Sequence, residues 1–126
     1  MGPATIQDAA VFVVEENPSE ATHSAFDGLP WPVHRYPDFA ALLDSLVEPA
    51  RGCVVASVDS PGEAALTMLE QLRSNQHRLA LILVCDRVDV PEAVAAMRAG
   101  VSDVLQRPVA ARALRHRVQG AVESRL

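Results

Sequence analysis

Residues 79–108 read LALILVCDRVDVPEAVAAMRAGVSDVLQRP, and this stretch decides the fold. Leu79–Val84 is an unbroken apolar run too short for a helix, the pattern of a strand buried on both faces. Asp89 to Glu92 has the spacing of a capping box with Pro91 in the first turn, and Val90, Ala93, Val94 and Met97 follow at helical period. Gly100 stands where a left-handed C-cap would close that helix. A short strand, Asp103–Leu105, comes next. Strand, helix and strand in such quick succession predict a parallel pair joined by a right-handed crossover.

Working outward, the same unit repeats. Ala10–Val14 is a buried strand ending at Glu15-Glu16, and Asn17-Pro18-Ser19-Glu20 reads as a helix start with Asn17 as N-cap. That helix is expected to be short, because it holds Thr22, His23 and Ser24 and meets Gly28-Leu29-Pro30. Val33–Tyr36 has polar residues inside it and suits a sheet edge. Phe39, Leu42, Leu43 and Leu46 form the next apolar stripe, Gly52–Val58 the next buried strand, and Ala65, Met68, Leu69 and Leu72 the stripe after that. Pro108 opens a last helix with Ala111, Leu114, Val118, Ala121 and Val122 inward and Arg112, Arg115, Arg117 and Glu123 outward.

The alternation is (βα)5. It predicts an α/β, doubly wound, flavodoxin-like fold with a parallel five-stranded sheet in the order 2-1-3-4-5. One domain over residues 1–126, with its core at about 10–122, accounts for the whole chain. In such sheets the crevice opens at the carboxyl ends of the first and third strands, where the order reverses. Glu15, Glu16, Ser57 and Asp59 would lie there.

Composition narrows the function classes. Hydrophobic residues make up 49% and charged residues 21%, which excludes a disordered chain. Cys53 and Cys85 form no CxxC or zinc pattern, and their positions in neighbouring strands are too far apart for a disulfide. No apolar run approaches the ~20 residues of a membrane span, and Met1–Asp8 lacks a basic region or apolar core, so a cytoplasmic protein is expected. All eleven basic residues are arginine, a compositional hint of a GC-rich bacterial genome. Net charge is −5, yet residues 1–70 carry −9 and residues 98–126 carry +4. An acidic body with a basic tail suits a protein partner better than a nucleic-acid groove, and few aromatics are available for base stacking.

Three pieces of sequence resemble the receiver (CheY-like) domain of two-component response regulators, most closely the FixJ-type subgroup. They are the acidic pair before Asn17-Pro18-Ser19, Gly52-Cys53-Val54-Val55 followed by Ser60-Pro61-Gly62, and Asp89–Gly100 followed by Asp103, Leu105 and Pro108. The resemblance covers about residues 10–122. It implies a site in which two acids after the first strand and an aspartate ending the third hold Mg²⁺, and that aspartate accepts a phosphoryl group. A Thr or Ser ending the fourth strand and a Lys before the fifth-strand proline grip the phosphoryl oxygens, and an aromatic on the fifth strand reports the event.

This chain departs at each place. Glu15 and Glu16 stand for the paired acids, Ser57 for the acceptor, Cys85 for the Thr/Ser, Arg107 for the lysine and Val104 for the aromatic. A serine hydroxyl is a poor nucleophile without an adjacent base, and its presence removes an anionic metal ligand. Arg107 keeps the charge but donates from a planar fork, and it is expected to pair with Glu16 or Asp59. The expectation is a degenerate receiver, not an enzyme, working without phosphorylation or cofactor in signalling or transcriptional regulation.

Competing readings stay open beside it. Glu15 and Glu16 form either a weak residual Mg²⁺ site or a solvated acidic turn. Cys85 is either a redox thiol or a small buried hydrophobe. Val90, Met97, Val104, Arg112 and Arg115 form either a dimer or output surface, as the resemblance implies, or an ordinary solvated face. The alternative functions are a working receiver with unorthodox Mg²⁺-dependent chemistry, and a small ligand-binding or enzymatic domain on the same fold.

Overall fold

The computed structural model of the protein describes residues 9–15, 24–46, 50–73 and 77–125. Five strands, β1 (Ala10–Val14), β2 (Val33–Tyr36), β3 (Arg51–Val58), β4 (Arg78–Cys85) and β5 (Asp103–Gln106), form one parallel sheet in the order β2-β1-β3-β4-β5. The expected order is the observed one. Four helices are described: α1 (Phe39–Ser45), α2 (Glu63–Arg73), α3 (Val90–Ala99) and α4 (Ala111–Glu123). The Asn17 cap and most of the helix expected after β1 lie outside the described residues. Ser24 and Ala25 are helical and lead into a turn over 26–28.

Alternation along the strands divides the core into two layers. Phe12, Val14, Val54, Ala56, Leu81, Leu83 and Cys85 face one side, where they meet Leu42 of α1, Leu69 and Leu72 of α2, and Ala96 of α3. Val11, Val13, Cys53, Val55, Ile82 and Val84 face the other, against Ala25, Phe26 and the Leu114, Val118 and Val122 stripe of α4. Strands buried on both faces must be apolar at every position, which is why β1, β3 and β4 read as continuous runs.

Three local expectations are corrected. Asp89 is the N-cap of α3 by position, and Ala93 N–H reaches its carbonyl at 2.9 Å, but its side chain makes no capping bond. Pro108 does not open the last helix: it follows a cis Arg107-Pro108 bond in the loop, and Ala110 is the N-cap. Arg115 does not stand on the outer face. It is half-buried and folds back across the sheet's second layer, with Nε donating to the Ala25 carbonyl at 3.0 Å and Nη2 to those of Ser24 (3.2 Å) and Asp27. Carbonyls ending a helical turn lack backbone donors, and a guanidinium fork supplies several at once.

Gly52 has a positive φ of +133°, which side-chain-bearing residues rarely adopt, and a Cβ there would strike the Ala10 carbonyl. The close approach of β1 and β3 therefore requires glycine at this position.

Candidate functional site

The parallel register brings four strand ends together. Val14 pairs with Ala56, Ser57 with Val84, Val58 with Cys85, and Cys85 with Gln106. Glu15, Ser57, Cys85 and Arg107 therefore converge at the carboxyl edge of the sheet, where sequence reasoning placed the crevice. Glu16 lies outside the described residues.

The polar groups there are bonded to one another. Arg107 Nη2 donates to Ser57 Oγ at 2.6 Å, and Ser57 Oγ donates to Glu15 Oε2 at 3.1 Å. The guanidinium also stands 3.6 Å from Glu15 Oε2. Its other arm, Nη1, donates to the Val84 carbonyl at 3.3 Å and to Asp86 Oδ1 at 3.1 Å. The backbone anchors the arrangement, because Arg107 N–H donates to the Cys85 carbonyl at 2.8 Å. The Glu15 side chain is 6% exposed and that of Arg107 31%. The buried carboxylate thus has a guanidinium and a hydroxyl donor as partners without a metal.

Arg107 thus pairs with Glu15 and Asp86, and not with Asp59 as expected. Asp59 follows the end of β3 in an exposed bend, where it pairs with Arg87 from the loop after β4. The Arg87 N–H to Asp59 carbonyl bond at 2.9 Å draws those loops together and takes Asp59 away from the cluster. Asp86 and Arg87 were missed by sequence reasoning. Their signal is the charged pair that follows Cys85 just after the Leu79–Val84 run.

Cys85 is fully buried in the first core layer, and burial pushes its thiol up to about 11 against the opposing pull of Arg107. Cys53 lies in the other layer, is likewise free, and is pushed up to about 12 by burial. Neither is a thiolate near neutrality. Val104 is half-buried against the first layer, an apolar plug with no ring to reorient. Val90 is 71% and Met97 46% exposed, and Arg112 is exposed as well. Arg117 is tied to Asp103 by a 2.7 Å ion pair joining α4 to β5.

The described residues do not fit Mg²⁺. The ion takes an octahedron of oxygens from carboxylates and water. Here the buried carboxylate already accepts a hydroxyl proton and faces a guanidinium, while Asp59 is engaged by Arg87. Among the described residues no three His, Cys, Asp or Glu side chains are grouped to hold a metal.

A parallel five-stranded sheet in the order 2-1-3-4-5 with helices on both faces is the CheY-like receiver fold. The chain is similar in sequence to the transcriptional regulatory protein FixJ of Azorhizobium caulinodans, 38% identical over 76 residues, or 60% of this chain and 36% of the relative. It is also similar to FixJ of Bradyrhizobium diazoefficiens, 28% identical over 100 residues, 78% of this chain and 49% of the relative. Among solved structures, full-length FixJ from B. japonicum matches with a TM-score of 0.74 and 25% identity, over 94% of this chain and 60% of that one. The chain spans about a third to a half of the length of these curated relatives. No family model matches the chain. No helix among the described residues is long and apolar enough to cross a membrane.

Proposed function

We propose that this chain is a degenerate receiver domain in two-component signalling or transcriptional regulation, one that acts through protein contacts and without phosphoryl transfer. The observation that carries this reading is the 2.6 Å bond from Arg107 to Ser57 at the acceptor position. The hydroxyl there is already donating to Glu15, so its proton is held by a buried carboxylate with an ion-pair partner of its own. Arg107 donates to that hydroxyl and also faces the Glu15 carboxylate, so both the hydroxyl and the base beside it are engaged by the same cation.

On this reading the domain is not an enzyme and needs no cofactor. It works in the cytoplasm on a protein partner or an output domain, and the chain itself does not touch nucleic acid. Its contact surface is the α3-β5-α4 face, where Val90, Val94 and Met97 expose apolar surface on α3 and Arg112 is exposed on α4. A homodimer through this face is the simplest arrangement. Arg115 is excluded from the surface because it serves the turn at 24–27.

The test is incubation with acetyl phosphate and Mg²⁺, followed by intact-mass measurement. The expected result is an unchanged mass and no Mg²⁺-dependent shift of the Glu15, Ser57 or Cys85 amide resonances. A stoichiometric gain of one phosphoryl group would overturn the proposal in favour of a working receiver.

A further inference from the structure

The sheet has a second polar end. At the amino edge of β4, opposite the Ser57 cluster, Arg73, His77, Arg78, Leu79, Ser124 and Arg125 line a pocket of about 370 Å³. The chain as a whole carries −5, yet among the described residues this pocket gathers three arginines and no acid. Among the described residues none of the three has a carboxylate within ion-pair reach: the four ion pairs found there belong to Arg87, Arg107 and Arg117. Arg73 spends one donor on the Ala99 carbonyl at 2.7 Å and keeps the rest of its fork. Ser124 Oγ is turned to the Ala121 carbonyl at 2.8 Å.

His77 borders the same pocket. Its Nδ1 accepts the Ala50 N–H at 2.7 Å, so in the neutral ring the proton must sit on Nε2. That Nε2–H is buried, has no hydrogen-bond partner in the described structure and is shut off from the open pocket, so the arginines are the groups that can meet a ligand. Several guanidinium forks call for an acceptor with several anionic oxygens, and a phosphate matches arginine's fork bidentately.

We infer that this pocket binds a phosphate-bearing small molecule, with Arg73, Arg78 and Arg125 taking its oxygens and His77 forming part of the wall. The site is separate from the acceptor-position cluster and does not depend on that cluster's chemistry. Free phosphate and a phosphate ester share the recognised group, and the pocket has room for more than bare phosphate.

The test is an amide NMR titration of the full chain at fixed ionic strength, using inorganic pyrophosphate in one arm and ribose 5-phosphate in the other. Saturable shifts at His77, Leu79 and Arg125, with none at Ser57, are expected in at least one arm, and the tighter arm assigns the source. Arg78→Gln and Arg125→Gln are each expected to weaken binding about tenfold, the loss of one charge-assisted contact. Arg112→Gln, on the distant face of α4, should leave it unchanged. The inference is overturned by shifts that never saturate, by shifts that Arg112→Gln weakens equally, or by saturable shifts centred on Arg107. Two variants on separate elements guard against one that fails to fold.

Discussion

Arg107 and Ser57 are fifty residues apart in the chain and 2.6 Å apart in the fold, and the bond between them runs from guanidinium to hydroxyl and on to the carboxylate of Glu15. Each group in this relay satisfies the next. Removing the cation should therefore strand a buried acid. Arg107→Met is expected to destabilise the domain by about 2 kcal/mol, the scale of a charge-assisted bond to a largely buried carboxylate. Urea unfolding measures it, and a change below about 0.5 kcal/mol would mean that Glu15 is held by other groups.

The same relay predicts what restoring the acceptor alone will do. In Ser57→Asp the new carboxylate lies within reach of Arg107 and beside Glu15, so the guanidinium pairs with it and occupies the oxygens that would attack phosphorus. Intact mass after acetyl phosphate and Mg²⁺ is expected to stay unchanged. One added phosphoryl group on this single variant would show that Arg107, Cys85 and Val104 are weaker obstacles than their geometry implies.

Much of this site was legible in the sequence because its positions are set by backbone register, and register follows from apolar runs. The bounds of β1 and β2 coincide with the expected ones. β3, β4 and β5 extend slightly further, to Arg51, to Arg78 and Cys85, and to Gln106. Three of those four end residues, Arg51, Arg78 and Gln106, are polar or charged, so hydropathy closes the strand while backbone pairing continues, as Arg51 opposite Arg78 shows. Side-chain partners chosen across long loops were not legible. Nothing near Arg107 in sequence says that it will reach Glu15 and not Asp59, and nothing near Arg115 points to the carbonyls of Ser24 and Ala25 some ninety residues earlier.

Arg115 makes that last point testable. Arg115→Ala removes a clamp on the turn that precedes β2 and leaves carbonyl groups without their donor. A loss of about 1–2 kcal/mol is expected, with faster hydrogen exchange confined to residues 24–29 and the neighbouring end of β2. Arg112→Ala, on an exposed position of the same helix, should change neither. If the two variants behave alike, Arg115 is a surface residue after all.

The two thiols should be silent in the native protein. At pH 8 a thiol raised to about 11 is ionised in about one molecule in a thousand, and Cys53, raised to about 12, less still. Iodoacetamide is expected to leave both unmodified under conditions that alkylate them fully in urea. Prompt native-state alkylation of Cys85 would mean that the carboxyl end of β4 opens, and would revive the redox reading.

His77 gives the fold a direction of pH dependence. Burial lowers its pKa below the usual 6.5, and the Ala50 N–H on Nδ1 further requires the neutral ring. Well above 6.5 the imidazole is neutral both folded and unfolded, so it contributes nothing to the slope. As pH falls through 6.5 the unfolded chain takes up a proton that the folded one refuses, and stability falls until the folded pKa is reached. Urea midpoints measured from pH 8 to pH 5 in a buffer free of phosphate should decline over this window. His77→Gln keeps a side-chain acceptor for Ala50 N–H but cannot titrate, so its decline should be shallower. An identical slope in the variant would place the acid sensitivity elsewhere and remove His77 as a buried neutral donor.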